Sequence, residues 1–420
     1  MPLLNVFTEI STIRKDFTNY ILVFLMIGVS GIPYLIAKPY LFNIPQLNIL
    51  TLLFIYSAYK FLSKNNKLDN YFILIIIILI YLIVDQTIWF RTFEFEQAIS
   101  LLVRFSIPYF VIKLTKDKFM DYYIHIIYVL AVISLILFIP SQISSTYNSI
   151  VNNIGSLLNL DEFAHRKSFI IYSIDNDHTR NAGPFWEAGA FCAFLLIAMI
   201  FHLIKHKTIK TREFGVFTIA LLTTYSTAGY LAFFFLLGGY YFFLIKSRLK
   251  LIVMPLLLGV FIYTFITQEF LQEKIEQQVT TQLNAVDREK KLGRFQSAIL
   301  DFIDISESPI FGRGRGENRY NENEFFIDYG AARRSNGITD FTAKMGIPFS
   351  ILYFLLVLLS LKKVILFYKA PTMLAVIAFF TILIIAFSQL LFTNPLFAGL
   401  IFLFIPYKNE TIVNGNNNHI

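Results

Sequence analysis

Charge and cysteine are what this sequence has little of. Charged residues make up 15% of the chain, hydrophobic residues 56%, and the mean hydropathy is +0.61. Soluble domains carry roughly 25% charged residues, so the balance excludes an ordinary water-soluble fold and makes the bilayer the expected solvent. One cysteine, Cys192, lies in an apolar run, which leaves no way to build a disulfide or a thiolate metal cluster within the chain and excludes redox chemistry of that kind. The histidines form no cluster with acidic residues, and Asp175-Asn176-Asp177 is explained by turn formation, so no metal and no cofactor is expected. A small-residue cleavage site is also missing: Lys38-Pro39-Tyr40 follows the first apolar run, which is therefore expected to stay as a helix.

What is present is a succession of apolar runs near the ~20 residues needed to cross a bilayer as a helix. They cover 20–37, 44–62, 71–90, 97–114, 120–139, 186–204, 214–226, 227–245, 249–266, 346–361, 372–392 and 396–407. The fold class expected is all-α, a polytopic transmembrane bundle of about 12 helices in a single membrane domain, 1–413, with a disordered tail at 414–420. The formal charge of +8 comes from short basic clusters between apolar runs, so it speaks for orientation and against a nucleic-acid partner. With the N-terminus inside, alternate connections carry Lys64 and Lys67, then Lys113, Lys116 and Lys118, then Lys205 to Arg212, Lys246 to Lys250, and Lys362 to Lys369. The short connections of the other side hold only Lys38 and Arg91, which predicts both termini in the cytoplasm.

Two segments, 140–185 and 267–345, are too long and polar for simple turns and fall on the outer side, where function is expected. Within the second, Leu271, Ile275, Val279 and Leu283 are spaced as an amphipathic surface helix. The first ends in Arg180-Asn181-Ala182-Gly183-Pro184-Phe185-Trp186-Glu187, holding an arginine and a carboxylate at the outer mouth. A carboxylate at a helix start is also stabilised by the helix dipole, by about 0.3 to 1 kcal/mol. The second contains Arg294, then Pro309-Ile310-Phe311-Gly312-Arg313-Gly314-Arg315-Gly316, then Arg333-Arg334-Ser335-Asn336. Alternating glycine and arginine can wrap amides and guanidinium forks around phosphate oxygens. No βαβ pattern surrounds these glycines, so a nucleotide fold is rejected. Arg104, in mid-helix, must face the bundle interior, either toward an anionic substrate or paired with Asp85 or a helix carbonyl.

In this order the motifs resemble the O-antigen polymerase and O-antigen ligase superfamily of bacterial envelope polysaccharide enzymes, over about the C-terminal 60% of the chain. Arg180 to Glu187 resembles the family's Arg-x-x-Gly-Phe element, Thr224-Tyr225-Ser226-Thr227-Ala228-Gly229-Tyr230 its Ser-x-Thr-Gly stretch, and Arg294 through Gly314 its Arg-to-Pro-Leu-Phe-Gly-x-Gly segment. Ser335-Asn336 stands where ligases show His-Asn, which tilts the resemblance toward a polymerase. The resemblance implies a C-type glycosyltransferase bundle in the cytoplasmic membrane, joining polyprenyl-pyrophosphate-linked glycan donor and acceptor without metal. It implies catalytic roles for Arg180, Glu187 and Arg294. Substrate-binding roles fall to Arg104, Gly183, Gly312, Arg313, Gly314, Arg315, Arg333, Arg334, Ser335 and Asn336. The expected partners are the bilayer and a chain-length regulator and flippase of the same pathway. The competing readings are a ligase-type glycan transferase and a lipid-linked oligosaccharide flippase or transporter. A transporter is expected to show broken helices and repeated halves.

Overall fold

The computed structural model describes residues 17–36, 49–91, 93, 95–158, 166–175, 179–244, 259, 294–314 and 335–407. The expected helices at 249–266 and 270–283, the tail, and Arg315, Arg333 and Arg334 lie outside these residues, apart from position 259. The architecture is that of an all-α membrane protein. Its helices are α1 (Phe17–Gly31), α2 (Ile49–Ser63), α3 (Asn70–Phe90), α4 (Phe95–Thr115), α5 (Phe119–Ile143), α6 (Ser145–Leu158) and α7 (Ala188–His206). After them come α8 (Arg212–Leu222), α9 (Thr227–Gly239), α10 (Arg294–Glu307), α11 (Gly337–Met345), α12 (Ile347–Phe367), α13 (Met373–Ala386) and α14 (Pro395–Ala398). One antiparallel hairpin, β1 (Arg166–Phe169) with β2 (Tyr172–Asp175), is added to the expected helices.

In the long bundle helices apolar residues fill nearly every face. In α3 the buried positions Phe72, Ile75, Leu79 and Leu82 recur at helical spacing and make one stripe toward the bundle. The remaining faces carry exposed Ile73, Leu74, Ile77, Ile80 and Tyr81, which only hydrocarbon solvates well. Helix α7 is the opposite case: its apolar window is 94% buried, so it is the central post of the bundle. In α4, Pro108 interrupts the helical ladder, and its ring occupies space that a side chain at Gly399 would need.

Contacts between connections define one end of the bundle. Lys113 pairs with Asp69 at 2.7 Å, Lys205 with Asp121, and the Tyr240 hydroxyl donates to the Lys207 carbonyl at 3.3 Å. Lys205 also lies over the Tyr368 ring, and the Tyr368 and Tyr407 hydroxyls are 3.2 Å apart. The basic connections around Lys113, Lys205 and Lys369 therefore share this end.

Two helical hairpins rise from the basic end and turn back to it: α8 with α9, and α13 with the chain from α14 to Tyr407. The runs expected at 214–226 and 372–392 stop earlier than their hydropathy suggests, at Leu222 and Ala386. With 11 residues in α8 and 14 in α13, these arms are roughly 17 and 21 Å long against a hydrocarbon core of about 30 Å. The residues beyond form tight polar turns, 223–226 and 387–394. Ser226 caps α9 by accepting from Gly229 N, and Ser388, Gln389 and Thr393 are buried. Such irregular backbone is tolerated where protein rather than lipid surrounds it. Polar features are thus not confined to the long loops, as expected from the sequence, but also enter the bundle on these tips.

The described parts of the two long segments form regular structure too. Helix α5 runs on to Ile143, and α6 and the β-hairpin fill most of 140–185. In the second segment, α10 packs on α11, and Gln86 at the end of α3 donates to the Phe311 and Lys344 carbonyls at 2.7 and 3.0 Å. This unit sits at the end opposite the basic connections.

Candidate functional site

The loop before α7 is locked from below. Asn181, fully buried, donates its amide N–H to the Thr223 carbonyl (3.0 Å) and its side chain to Ser134 Oγ and Thr223 Oγ1 (3.1 and 2.9 Å), while accepting from Gly183 N. Gly183 has φ +53°, and an added Cβ would meet the Phe191 ring at 3.0 Å, so its place is a structural turn. Phe185 stacks on Phe194 at 4.0 Å. On this base Arg180 donates from Nε to the Thr224 carbonyl at 3.0 Å, and its terminal nitrogens have no hydrogen-bond partner among the described residues.

Glu187 is the N-cap residue of α7, yet its side chain does not cap the helix. Its Oε1 instead accepts from Nε2 of Gln389, on the tip of the last hairpin. That tip also receives α11: a Cβ at Gly337 would collide with the carbonyl oxygens of Gln389 and Ala386. Just before Gly337, Asn336 accepts from Ile338 N and Thr339 N and so starts α11. Ser335 N donates to Ser297 Oγ at 2.8 Å, one turn along α10 from Arg294.

Arg294, far along the chain from the neighbouring Arg180 and Glu187, is near enough to both to respond to their charges. Burial lowers the pKa of the Arg294 guanidinium, Glu187 opposes that shift, and Arg180 adds to it. Arg294 forms no ion pair among the described residues, and its Nε is buried without a hydrogen-bond partner, as are Ser335 Oγ and Asn336 Nδ2. A buried polar atom left unmatched costs about 1 to 3 kcal/mol. Unmatched donors beside two arginines form a place that an anionic or hydroxyl-rich ligand would satisfy.

The glycine-arginine run has another job. The amides of Gly312, Arg313 and Gly314 donate to the carbonyls of Ser308, Ala343 and Lys344 at 3.1, 2.8 and 3.1 Å, so they are not offered to a phosphate. Gly312 (φ +69°) approaches the Lys344 and Gly346 backbone so closely that a Cβ would lie 2.5 to 2.6 Å from it. Arg313 is buried between Asp304 (3.1 Å) and Glu307 (2.9 Å), with its guanidinium 5.8 Å from the Phe90 ring centroid. These amides and the Arg313 guanidinium thus have partners within the protein, and the stretch latches α10 to α11. Arg104 donates to Ser100 Oγ at 3.0 Å and to Asn394 Oδ1 at 3.5 Å, which ties α4 to the tip carrying Gln389.

Gln389, Asn181, Ser297 and Thr224 were missed in the sequence. The signal for Gln389 was the polar interruption Ser388-Gln389 and Thr393-Asn394 inside an otherwise apolar run. Among the described residues, no group of three or more His, Cys, Asp or Glu is placed to hold a metal ion. No family model matches the chain, and no curated protein matches it either. The fold defines the class as a membrane-embedded helical protein; among the described residues four helical stretches, one of them running through α4 and α5, are long and apolar enough to cross a membrane.

Proposed function

We propose that this protein is a glycosyltransferase of the polysaccharide-polymerase kind, joining polyprenyl-pyrophosphate-linked oligosaccharide repeat units at the outer face of the bacterial cytoplasmic membrane. The observation that carries this reading is that the Gln389 tip and the start of α11 link Glu187 to the helix of Arg294, where Arg294 Nε, Ser335 Oγ and Asn336 Nδ2 are buried and unmatched and Arg180 is near enough to add to the shift of Arg294. The basic connections at the other end would be cytoplasmic, because lysine and arginine are retained there. A donor already in the outer leaflet needs no nucleotide sugar.

In the reaction the bond between the donor's anomeric carbon and its pyrophosphate oxygen breaks. Polyprenyl pyrophosphate leaves with the electron pair, and an acceptor hydroxyl oxygen bonds to the carbon. The acceptor's proton passes to the Glu187 carboxylate. Arg180 and Arg294 stabilise the negative charge gained by the leaving group, as permanently charged planar forks suited to two phosphate oxygens. Ser335 Oγ and Asn336 Nδ2 would hydrogen-bond substrate oxygens. This chemistry needs no metal.

The test is polymer formation at matched membrane abundance. Arg180→Lys and Arg294→Lys each keep the charge but lose the fork, and should cost on the order of 3 kcal/mol, about a hundredfold in rate. Arg166→Lys, outside the site, should be nearly silent. Near-normal activity in both motif variants would rule out bidentate gripping. A fall in abundance instead would return both arginines to a structural role.

The buried irregular tips favour one second reading, transport of a lipid-linked oligosaccharide, since broken helices at depth are common in transporters. Inactivation separates the readings. A single repeat on lipid at the outer face indicates a polymerase, full-length unligated polymer a ligase, and lipid-linked repeats trapped at the inner face a transporter.

A further inference from the structure

We propose that the unit formed by α6 and the β-hairpin is a membrane-surface anchor, with one side seated in the outer part of the bilayer leaflet beside the candidate site. Helix α6, Ser-Thr-Tyr-Asn-Ser-Ile-Val-Asn-Asn-Ile-Gly-Ser-Leu-Leu, contains no charged residue. Val151 on its inner face packs with Phe138, Tyr172 and Ile174 in a small core separate from that of the bundle. Around the helix, Ile150, Ile154 and Leu157 fall within one narrow stripe, and they are 51%, 43% and 84% exposed. No described residue covers that stripe.

The occupant follows from what the stripe continues. Helix α5 exposes Ile136, Ile139 and Ile143 along its outer half, and α6 begins directly after it, past Ser144. With 25 residues, α5 is about 37 Å long and overshoots a hydrocarbon core of about 30 Å by several ångströms. The stripe of α6 therefore starts at the boundary between acyl chains and headgroups. The hairpin adds a second apolar point, since Ile170 and Ile171 at its turn are exposed. The anchor is joined to the site, because Ser173 N on β2 donates to the Gly183 carbonyl at 2.7 Å. Holding the hairpin at headgroup depth also sets the depth of the loop that carries Arg180. The inference does not depend on the glycosyl-transfer reading, because its test measures no activity.

The experiment uses full-length protein in vesicles of phosphatidylcholine and phosphatidylglycerol. Leu157→Cys, Ile154→Cys and Ile170→Cys are each labelled with an environment-sensitive fluorophore, while buried Cys192 stays unlabelled. Ser149→Cys, exposed and about 100° around the helix from Ile150, is the control. The expected result is blue-shifted emission at 154, 157 and 170, quenched by lipids bearing a shallow quencher and protected from aqueous iodide, with the control open to iodide. Labels at 154 and 157 quenched by iodide as freely as the control would overturn the proposal. So would labels reached by neither quencher, which would mean that a second copy or another segment of this chain covers the stripe.

Discussion

Replacing Arg313 with methionine separates two roles for the glycine-arginine run. The methionine keeps most of the stem volume, so no cavity opens, but the guanidinium between Asp304 and Glu307 is lost. Asp304 is fully buried and Glu307 is partly exposed, so the cost falls on Asp304. Removing one partner of a buried ion pair typically costs about 3 to 5 kcal/mol. Taking ~4 kcal/mol, and 1.4 kcal/mol per tenfold, the local opening of α10 from α11 should become several hundredfold to a thousandfold more frequent. Amide hydrogen exchange in micelles reads this directly. Exchange should rise at the amides of position 313 and Gly314, which bond to the Ala343 and Lys344 carbonyls, and through the last turn of α10, with α7 unchanged. Adding Asp304→Leu should restore much of the protection, because the stranded charge is removed with its partner. Wild-type exchange in Arg313→Met together with lost activity would refute the latch and return this arginine to the substrate.

Three further outcomes follow from the geometry. Gly337→Ala places a methyl against the Gln389 and Ala386 carbonyls and should cost about 1 to 3 kcal/mol, seen as a lower melting temperature, whereas Gly215→Ala, with nothing near its Cβ, should be neutral or slightly stabilising. Gln389→Leu removes the donor to Glu187 and should lower kcat about tenfold to a hundredfold, the worth of a hydrogen bond to a charged group, with KM and abundance little changed; a parallel loss of abundance would make Gln389 a packing residue. Purified protein should polymerise lipid-linked repeats in the presence of chelator, and activity lost there but restored by magnesium or manganese would defeat the arginine-based account.

Helices that meet lipid were legible because nearly every face is apolar, so hydropathy alone finds α3 and the start of α12, although α12 runs on past Leu361 to Phe367. The ends at Leu222 and Ala386 were not, because a hydropathy window averages Thr223, Ser226, Ser388 and Gln389 into apolar neighbours. The three groups of the candidate site could be read one by one from local motifs. Their convergence could not, since it depends on contacts such as that between Glu187 and Gln389, 202 positions apart. The latch role of Arg313 was hidden for a related reason: the sequence displays glycines and arginines side by side, and only the fold turns this arginine back onto Asp304 and Glu307 at the end of α10.

The returning hairpin also has a consequence for the order of synthesis. Arg180, Glu187 and Arg294 leave the ribosome well before Gln389, and until Gln389 arrives Glu187 lacks its donor and Gly337 has no carbonyls to pack against. Leu396 N donates to Ser30 Oγ at 2.8 Å, so the last described helices fasten onto the first. The hairpin thus acts as a keystone: a nascent chain carries every charged group of the candidate site before the segment that supports Glu187 has folded back against α1.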